Sequence, residues 1–121
     1  MDARGFIVTL SSENPDRLRA SYEGVVGLHP VFDFAPGAFA MDASSTPSFI
    51  VEEHSEVRGR AKEPQRLLLN LVVGDVATEE ARLRSHLVES VRDASVEDEV
   101  GVFATFVDPD GNYCQLVQLY E

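Results

Sequence analysis

The chain of 121 residues has the length of a single domain, and with 44% hydrophobic residues it can bury a core of useful size. Its formal net charge of −11 disfavours nucleic acids and anionic membranes as partners. It contains no apolar run near the roughly 20 residues of a membrane span, and its first residues lack the profile of a signal peptide. A single cysteine makes no internal disulfide, which fits a reducing compartment. We therefore expect a cytoplasmic globular protein that binds neither nucleic acid nor membrane.

The first half of the chain predicts a strand, a helix and three short strands. Alternation over residues 5–11 is typical of a half-buried strand. Asn14 and Pro15 have the residue types of an N-cap and a first helical position, and Gly27 is placed to end that helix. The three strands are predicted over residues 31–34, 38–42 and 48–52, with a turn at 36–37 and a loop at 44–47.

The second half predicts the same order of elements. A strongly apolar strand covers residues 66–73, and Asp75 is the predicted cap of a helix over 76–88 that buries Leu83 and Leu87. A short strand is predicted over 91–96. The turn residues at 108–111, Asp-Pro-Asp-Gly, then join two apolar strands over 102–107 and 113–119 into a hairpin.

The order β-α-β-β-β thus occurs twice, which predicts an internal repeat. We call residues 5–53 module 1 and residues 66–120 module 2, with an exposed linker over 54–65. The pattern at residues 38–42 matches that at 104–108, and the same shift carries Phe49 onto Gln115. The first strands superpose with Ile7 on Leu68.

Three segments resemble the vicinal oxygen chelate superfamily, which includes glyoxalase I, bleomycin-resistance proteins and extradiol dioxygenases. They are residues 8–16, with the start of the first helix; residues 21–28, similar to the family's FYxxVLGL; and residues 107–112, with the DPDG turn. The resemblance implies an α+β fold in which two βαβββ modules form an incomplete barrel around a cleft. It also implies a homodimer.

Catalytic members of that family hold a metal ion with residues in the first and last strands of each module. Carried over by position, these sites are Ile7, Phe49, Leu68 and Gln115. Three of the four side chains are hydrocarbon, and a neutral amide is a weak ligand beside carboxylate or imidazole. We therefore expect no metal, no cofactor and no catalytic residue, with enzymatic activity left open.

The resemblance also implies which strand faces line the cleft. The expected ligand-binding residues are a set of apolar side chains with a few polar groups, as is usual for small-molecule sites. They are Ile7, Thr9, Phe39, Phe49, Val51, Leu68, Asn70, Gln115 and Val117. The opposite face, which includes Val8, Leu10, Ile50, Cys114 and Leu116, is expected to pack beneath the helices. Alternatively, the cleft-lining residues fill the barrel as a second core.

The histidines and the cysteine do not form a recognisable site in the sequence. His29, His54 and His86 are not at metal-ligand spacing, and Cys114 alternates onto the helix-facing side of its strand. No serine elbow, phosphate loop or dinucleotide motif occurs.

Three functions are compatible with these patterns. The first is a metal-free protein that binds a small apolar or aromatic molecule in the cleft, an antibiotic being one candidate. The second is a metal-dependent lyase, isomerase or dioxygenase of the same superfamily with non-standard ligands. The third is a structural or regulatory dimer whose barrel is filled.

Overall fold

The computed structural model describes residues 1–31, 37–42 and 46–120, and the chain divides into two compact units, Met1–Gly59 and Arg60–Glu121. These units contain module 1 and module 2, and each is described by itself. Most of the strand predicted over 31–34, and parts of the turn predicted at 36–37 and of the loop predicted at 44–47, lie outside the described residues.

Module 1 is a four-stranded sheet with one helical segment after its first strand. The strands are β1 (Val8–Ser12), β2 (His29–Pro30), β3 (Ala38–Ala40) and β4 (Phe49–Glu53). Their order is β1-β4-β3-β2, with β1 parallel to β4 and the other pairs antiparallel. Helix α1 (Pro15–Ala20) continues directly into a π-helix, Ser21–Val26.

Module 2 repeats this topology. Its elements are β5 (Leu68–Val72), α2 (Val76–Ser85), β6 (Ser90–Glu97), β7 (Gly101–Val107) and β8 (Tyr113–Leu119), preceded by a 3-10 turn at Pro64–Arg66. The strand order is β5-β8-β7-β6, and β5 runs parallel to β8. The sequence-predicted β-α-β-β-β order is therefore confirmed in both modules. In the parts of the chain that the structure describes, no helix is long and apolar enough to cross a membrane.

Both ends of the first helical segment follow the sequence prediction. The side chain of Asn14 accepts a hydrogen bond from the Arg17 N–H at 3.3 Å, which satisfies one of the donors left over at a helix start. Gly27 adopts a left-handed φ of +93°, and its N–H and that of Leu28 both donate to the Tyr22 carbonyl. The π-helical widening over the second half of this segment was not predicted.

Helix α2 begins as predicted but ends earlier. Asp75 accepts from the Thr78 N–H at 3.3 Å, and the Val76 N–H donates to Oε1 of Gln118 in the last strand at 3.0 Å. Leu87 adopts φ +59°, and the Val88 N–H donates to the Leu83 carbonyl, so the helix closes after Ser85. The prediction that Leu87 is a core residue is wrong, because the closing turn leaves its side chain 92% exposed.

The core of module 1 lies between its sheet and the helical segment. Leu18 and Tyr22 are buried against β4, and the rings of Tyr22 and Phe49 meet edge to face with centroids 4.7 Å apart. Phe39 lies 6.2 Å from Phe49 on the same side. Val51 is buried there as well.

Strand register corrects the predicted faces of module 1. Phe49 pairs with Val8 and Val51 pairs with Leu10, so these side chains share the helix-facing side of the sheet. Ile50 pairs with Thr9 and lies on the opposite side. The expectation that Phe49 and Val51 share a face with Ile7 and Thr9 is therefore wrong. Residues 49–51 are all apolar, and such a run has no alternation from which a face can be assigned.

In module 2 the predicted faces are correct. Leu69 pairs with Cys114 and Leu71 pairs with Leu116, and these strands pack on α2, where Val76 and Leu83 are buried. A cavity of only about 20 Å³ remains between this face and the helix, which is room for no more than one water. This side of the sheet is thus a filled core.

The hairpin turn between β7 and β8 is held by one carboxylate. Asp108 Oδ1 accepts from the N–H groups of Asp110 and Asn112 at 2.8 and 2.9 Å, and Oδ2 accepts from Asn112 Nδ2 at 2.9 Å. Gly111 takes φ +81°, as the turn type requires. The Ala61 N–H donates to the Asp110 carbonyl, which attaches the last part of the linker to this turn.

Candidate functional site

The helix-free face of module 2, the side of its sheet opposite α2, combines exposed apolar side chains with a line of polar ones. Exposure is greatest along β5, where Leu68 is 38% and Val72 is 68% exposed. It is least in the middle of the sheet, where Thr105 is 7% and Val117 is 5% exposed. A large apolar surface that stays partly exposed is more often a binding surface than a neutral one.

Polar side chains occupy one register position on all four strands of this face. Asn70 pairs with Gln115, Gln115 pairs with Thr105, and Thr105 pairs with Arg92. Paired residues in adjacent strands project to the same side of a sheet, at a strand spacing of about 4.8 Å. We call Asn70, Gln115, Thr105 and Arg92 the polar row. It runs across the full width of the sheet, over about 14 Å.

Apolar side chains flank the polar row on both sides. They lie two residues away along each strand, and their pairing is continuous with that of the row. One flank comprises Val72, Val117 and Phe103, and the other comprises Leu68, Tyr113 and Val107. An apolar surface crossed by a few hydrogen-bonding groups is the usual composition of a small-molecule site.

The predicted site residues fall into three groups in the structure. Leu68, Asn70, Gln115 and Val117 lie together on the helix-free face of module 2. Ile7 and Thr9 lie on the helix-free side of module 1. Phe39, Phe49 and Val51 are packed in the core beneath the helical segment. Ligand contact by the first two groups stays a prediction.

Sequence reasoning did not find Thr105 and Arg92. Thr105 lies in the apolar run over residues 102–107, which has no alternation from which its face or its partner on the next strand could be deduced. Arg92 reaches this face because β6 carries register shifts on both sides of it, between Ser90 and Arg92 and between Arg92 and Ser95. Such bulges turn a side chain from one face to the other and have no clear residue pattern.

No protein-family model and no curated protein matches the sequence. Solved structures do. A member of the glyoxalase/bleomycin resistance protein/dioxygenase superfamily from Sphaerobacter thermophilus superposes with a TM-score of 0.72 at 15% identity, covering 96% of this chain and 97% of that one. The chain has the vicinal oxygen chelate fold.

Other structures with this fold include an antibiotic binding protein and an antibiotic resistance protein. TnmS3, an antibiotic binding protein from Streptomyces sp. CB03234, has a TM-score of 0.68 and 21% identity, covering 98% of this chain and 97% of that one. FosX, a fosfomycin resistance protein from Listeria monocytogenes, has a TM-score of 0.73 and 13% identity, covering 99% and 96%. At these identities the likeness shows the vicinal oxygen chelate fold alone.

The metal positions of the vicinal oxygen chelate fold do not carry a metal-binding set in this chain. Register makes Ile50, in place of Phe49, the counterpart of Gln115, because both lie on the helix-free side of the last strand of their module. The four positions are then Ile7, Ile50, Leu68 and Gln115. One amide oxygen among three hydrocarbon side chains does not fit a divalent ion, which needs several converging donors.

Other potential ligands do not converge in the described residues. There, no three histidine, cysteine, aspartate or glutamate side chains come together to hold a metal ion. His29 is exposed on β2, the His54 Nδ1 accepts from the Glu56 N–H at 3.1 Å, and His86 is exposed at the end of α2. Cys114 is fully buried on the helix-facing side of β8.

Proposed function

We propose that this protein binds a small molecule and that the helix-free face of module 2 supplies its main contacts. The polar row between two apolar flanks is the observation that supports this proposal. It offers hydrogen-bond donors and acceptors at a fixed spacing on a surface that also removes ligand carbon from water. The middle of the row, where Thr105 is buried and Gln115 is partly buried, strengthens hydrogen bonds because solvent competes less there.

The neighbours with the same fold favour an antibiotic or another natural product as the ligand class. TnmS3 is described as antibiotic binding and FosX as a fosfomycin resistance protein. In this chain the fold's metal positions lack the donors for a metal-dependent reaction, which favours sequestration of the ligand over its chemical conversion. The proposed function is therefore metal-free binding in the manner of a bleomycin-resistance protein.

The alternative that cleft-lining residues form a second core is supported in module 1 but not in module 2. Val31, Ala38 and Ala40 form a buried cluster on the helix-free side, and Ile50 packs against it. These side chains offer a ligand no hydrogen bond. A purely structural role for the whole protein would leave the polar row of module 2 without an explanation.

Ligand binding can be tested by thermal shift and calorimetry on a panel of antibiotics and other small aromatic compounds. We expect at least one compound to raise the melting temperature in a concentration-dependent way. Gln115→Leu removes the central amide of the row and should weaken binding about tenfold, the equivalent of one hydrogen bond of about 1.4 kcal/mol. Gln65→Leu makes the same chemical change at an exposed site next to β5 and should bind like the wild type. Equal affinities for the two variants would contradict the proposal.

The enzymatic alternative is tested separately by elemental analysis. The protein is incubated with nickel, zinc, iron or manganese ions, desalted and analysed. We expect less than about 0.1 equivalent of any metal, because the donor set is inadequate. Stoichiometric retention would overturn the metal-free proposal.

Pairing into homodimers, location in the cytoplasm and the exclusion of nucleic acid and membrane stay predictions from the sequence. Sedimentation at several protein concentrations tests the first of them. A monomer at micromolar concentration would contradict it.

A further inference from the structure

Two register shifts in β6 sort its side chains between the two faces of the sheet. Asp93 accepts from Arg84 Nη2 at 2.7 Å, and the Ala94 N–H donates to Glu80 Oε2, also at 2.7 Å, so this part of the strand faces α2. Arg92 is paired with Thr105, Ser95 with Phe103 and Glu97 with Gly101, all on the helix-free face. β6 therefore adds three polar side chains to one end of the polar row.

Arg92 and Glu97 neutralise each other at that end. Arg92 Nη2 lies 3.1 Å from Glu97 Oε1, and both side chains are about half exposed. An exposed pair of this kind contributes at most about 1 kcal/mol to stability, so it can rearrange around a ligand at small cost. The guanidinium has five N–H donors, of which this contact uses one, and the remaining donors can reach an acceptor on a ligand.

Ser95 has an unused hydrogen-bonding group next to Arg92. Its Oγ is shielded from solvent and has no hydrogen-bond partner among the described residues. A buried polar group without a partner is unfavourable by roughly 1 to 3 kcal/mol, and such groups are uncommon in native proteins. A ligand oxygen brought to this end of the row, with a shift of the Arg92 side chain, can complete the missing hydrogen bond.

The middle of the row offers a fixed amide. Gln115 Nε2 donates to Thr105 Oγ1 at 3.4 Å, which orients the amide along the row. Asn70 is exposed at the β5 edge and carries a second amide with two N–H donors. Side-chain donors therefore occur along the whole length of the row, and the one carboxylate on this end, that of Glu97, is already paired.

We propose that Arg92 and Ser95 make this face specific for a neutral, flat molecule whose edge carries carbonyl or hydroxyl oxygen atoms. This inference rests on the proposed function and names the class of ligand. A cation is attracted by the net charge of −11, but on this end of the row the Glu97 carboxylate is already paired with Arg92 and the other side chains mainly offer N–H donors. An anion would meet a guanidinium already paired with Glu97, in a protein with a net charge of −11. A neutral oxygen acceptor avoids both penalties and still uses the N–H donors.

Four probes with similar ring systems test this inference. Xanthone is neutral with a ring carbonyl, xanthene lacks that carbonyl, xanthone-2-carboxylate is an anion, and 9-aminoacridine is a cation. We expect xanthone to bind about tenfold more tightly than xanthene, and more tightly than either ion. Its dissociation constant should change less than about twofold between low and high salt, because no net charge is neutralised on binding.

Variants on β6 assign the selectivity to the two residues. Arg92→Met should reduce the preference for xanthone over xanthene to below about threefold, and Ser95→Ala should act in the same direction with a smaller effect. Arg84→Met is the matched control, because it removes an arginine that pairs with Asp93 on the helix-facing side. It should leave the preference intact.

The outcomes separate the two proposals. If none of the four probes binds, neither at high protein concentration nor by thermal shift, the inference is overturned, and the antibiotic panel decides the proposed function separately. If xanthene binds as well as xanthone, or an ion binds best, or Arg92→Met keeps the preference, the inference is overturned while small-molecule binding stands.

Discussion

The two modules share one topology but use the helix-free face of their sheets differently. In module 2 the central register position reads Asn70, Gln115 and Thr105 across three strands, whereas in module 1 the same position reads Thr9, Ile50 and Ala38. In module 1, Ile50 and Ala38 belong to a buried apolar cluster and Thr9 is exposed, whereas in module 2 Gln115 donates a hydrogen bond to Thr105. Two modules of the same topology can thus differ in use: one buries apolar side chains on its helix-free face, and the other keeps polar side chains there for recognition.

The largest effect on stability should be at Phe49, which the sequence pattern had aligned with Gln115. Phe49→Ala empties a packed site beside Tyr22 and Phe39 and should lower the free energy of unfolding by about 3 to 5 kcal/mol. Gln115→Ala removes a half-exposed side chain with one long hydrogen bond and should lower it by less than about 1 kcal/mol. Urea unfolding followed by circular dichroism measures both. Similar losses for the two variants would mean that the halves are not used differently.

A second prediction concerns the close approach of β7 and β8 in module 2. A Cβ on Gly101 would collide with the Gln118 carbonyl oxygen of the neighbouring strand. Gly101→Ala should therefore lower the free energy of unfolding by about 2 to 3 kcal/mol, because backbone must move to make room. Gly74→Ala, where the new methyl group meets nothing, is the control and should change stability by less than about 0.5 kcal/mol. A neutral Gly101→Ala would show that β7 and β8 are less tightly paired than described.

A third prediction compares how the two helices are attached to their sheets. Asn14 caps α1 from the preceding residue, whereas α2 also receives Gln118 Oε1 from the last strand. Gln118→Leu leaves the Val76 N–H without that partner and should lower stability by about 1 to 2 kcal/mol. Asn14→Ala should cost about 1 kcal/mol. Hydrogen exchange should show faster opening of the Val76 amide only in the first variant, and unchanged exchange there would count against a link between helix and sheet.

The smallest expected effect is a gain in stability. Leu87 holds a left-handed conformation that favours glycine, and its side chain is almost fully exposed. Leu87→Gly should raise the free energy of unfolding by up to about 1 kcal/mol. Ala81→Gly, at an exposed site inside α2, should lower the free energy of unfolding by about 1 kcal/mol. Loss of stability in Leu87→Gly would show that the leucine makes a contact worth more than its strain.

Local chemistry explains why the order of elements was predictable. The cap at Asn14, the left-handed end at Gly27 and the turn at Asp108 each depend on residues within six positions of one another. Such interactions are readable from the sequence because few residue types satisfy them. The repeat of these patterns then fixed the two modules and the fold.

The site was less predictable because it depends on register between distant strands. The family resemblance placed Leu68 and Asn70 on the correct face but Phe49 on the wrong one, because Phe49 lies in an unbroken apolar run whose register the sequence does not show. Arg92 joins the polar row because of bulges in β6 that could not be predicted from the local sequence. The polar row is therefore a property of pairing, visible only once the four strands are aligned.

In each module the first strand pairs in parallel with the last one, and this arrangement has a consequence for synthesis on the ribosome. Among the strands that the structure describes, β1 pairs only with β4, and β5 pairs only with β8. Each sheet must therefore wait for its final strand before its first strand can be placed, and closing such a long loop slows folding. Module 1 is complete at Glu53 and can fold while the rest of the chain is being translated. Module 2 has to hold its apolar β5 unpaired until the residues up to Leu119 have left the exit tunnel, and transiently exposed strands of this kind favour aggregation.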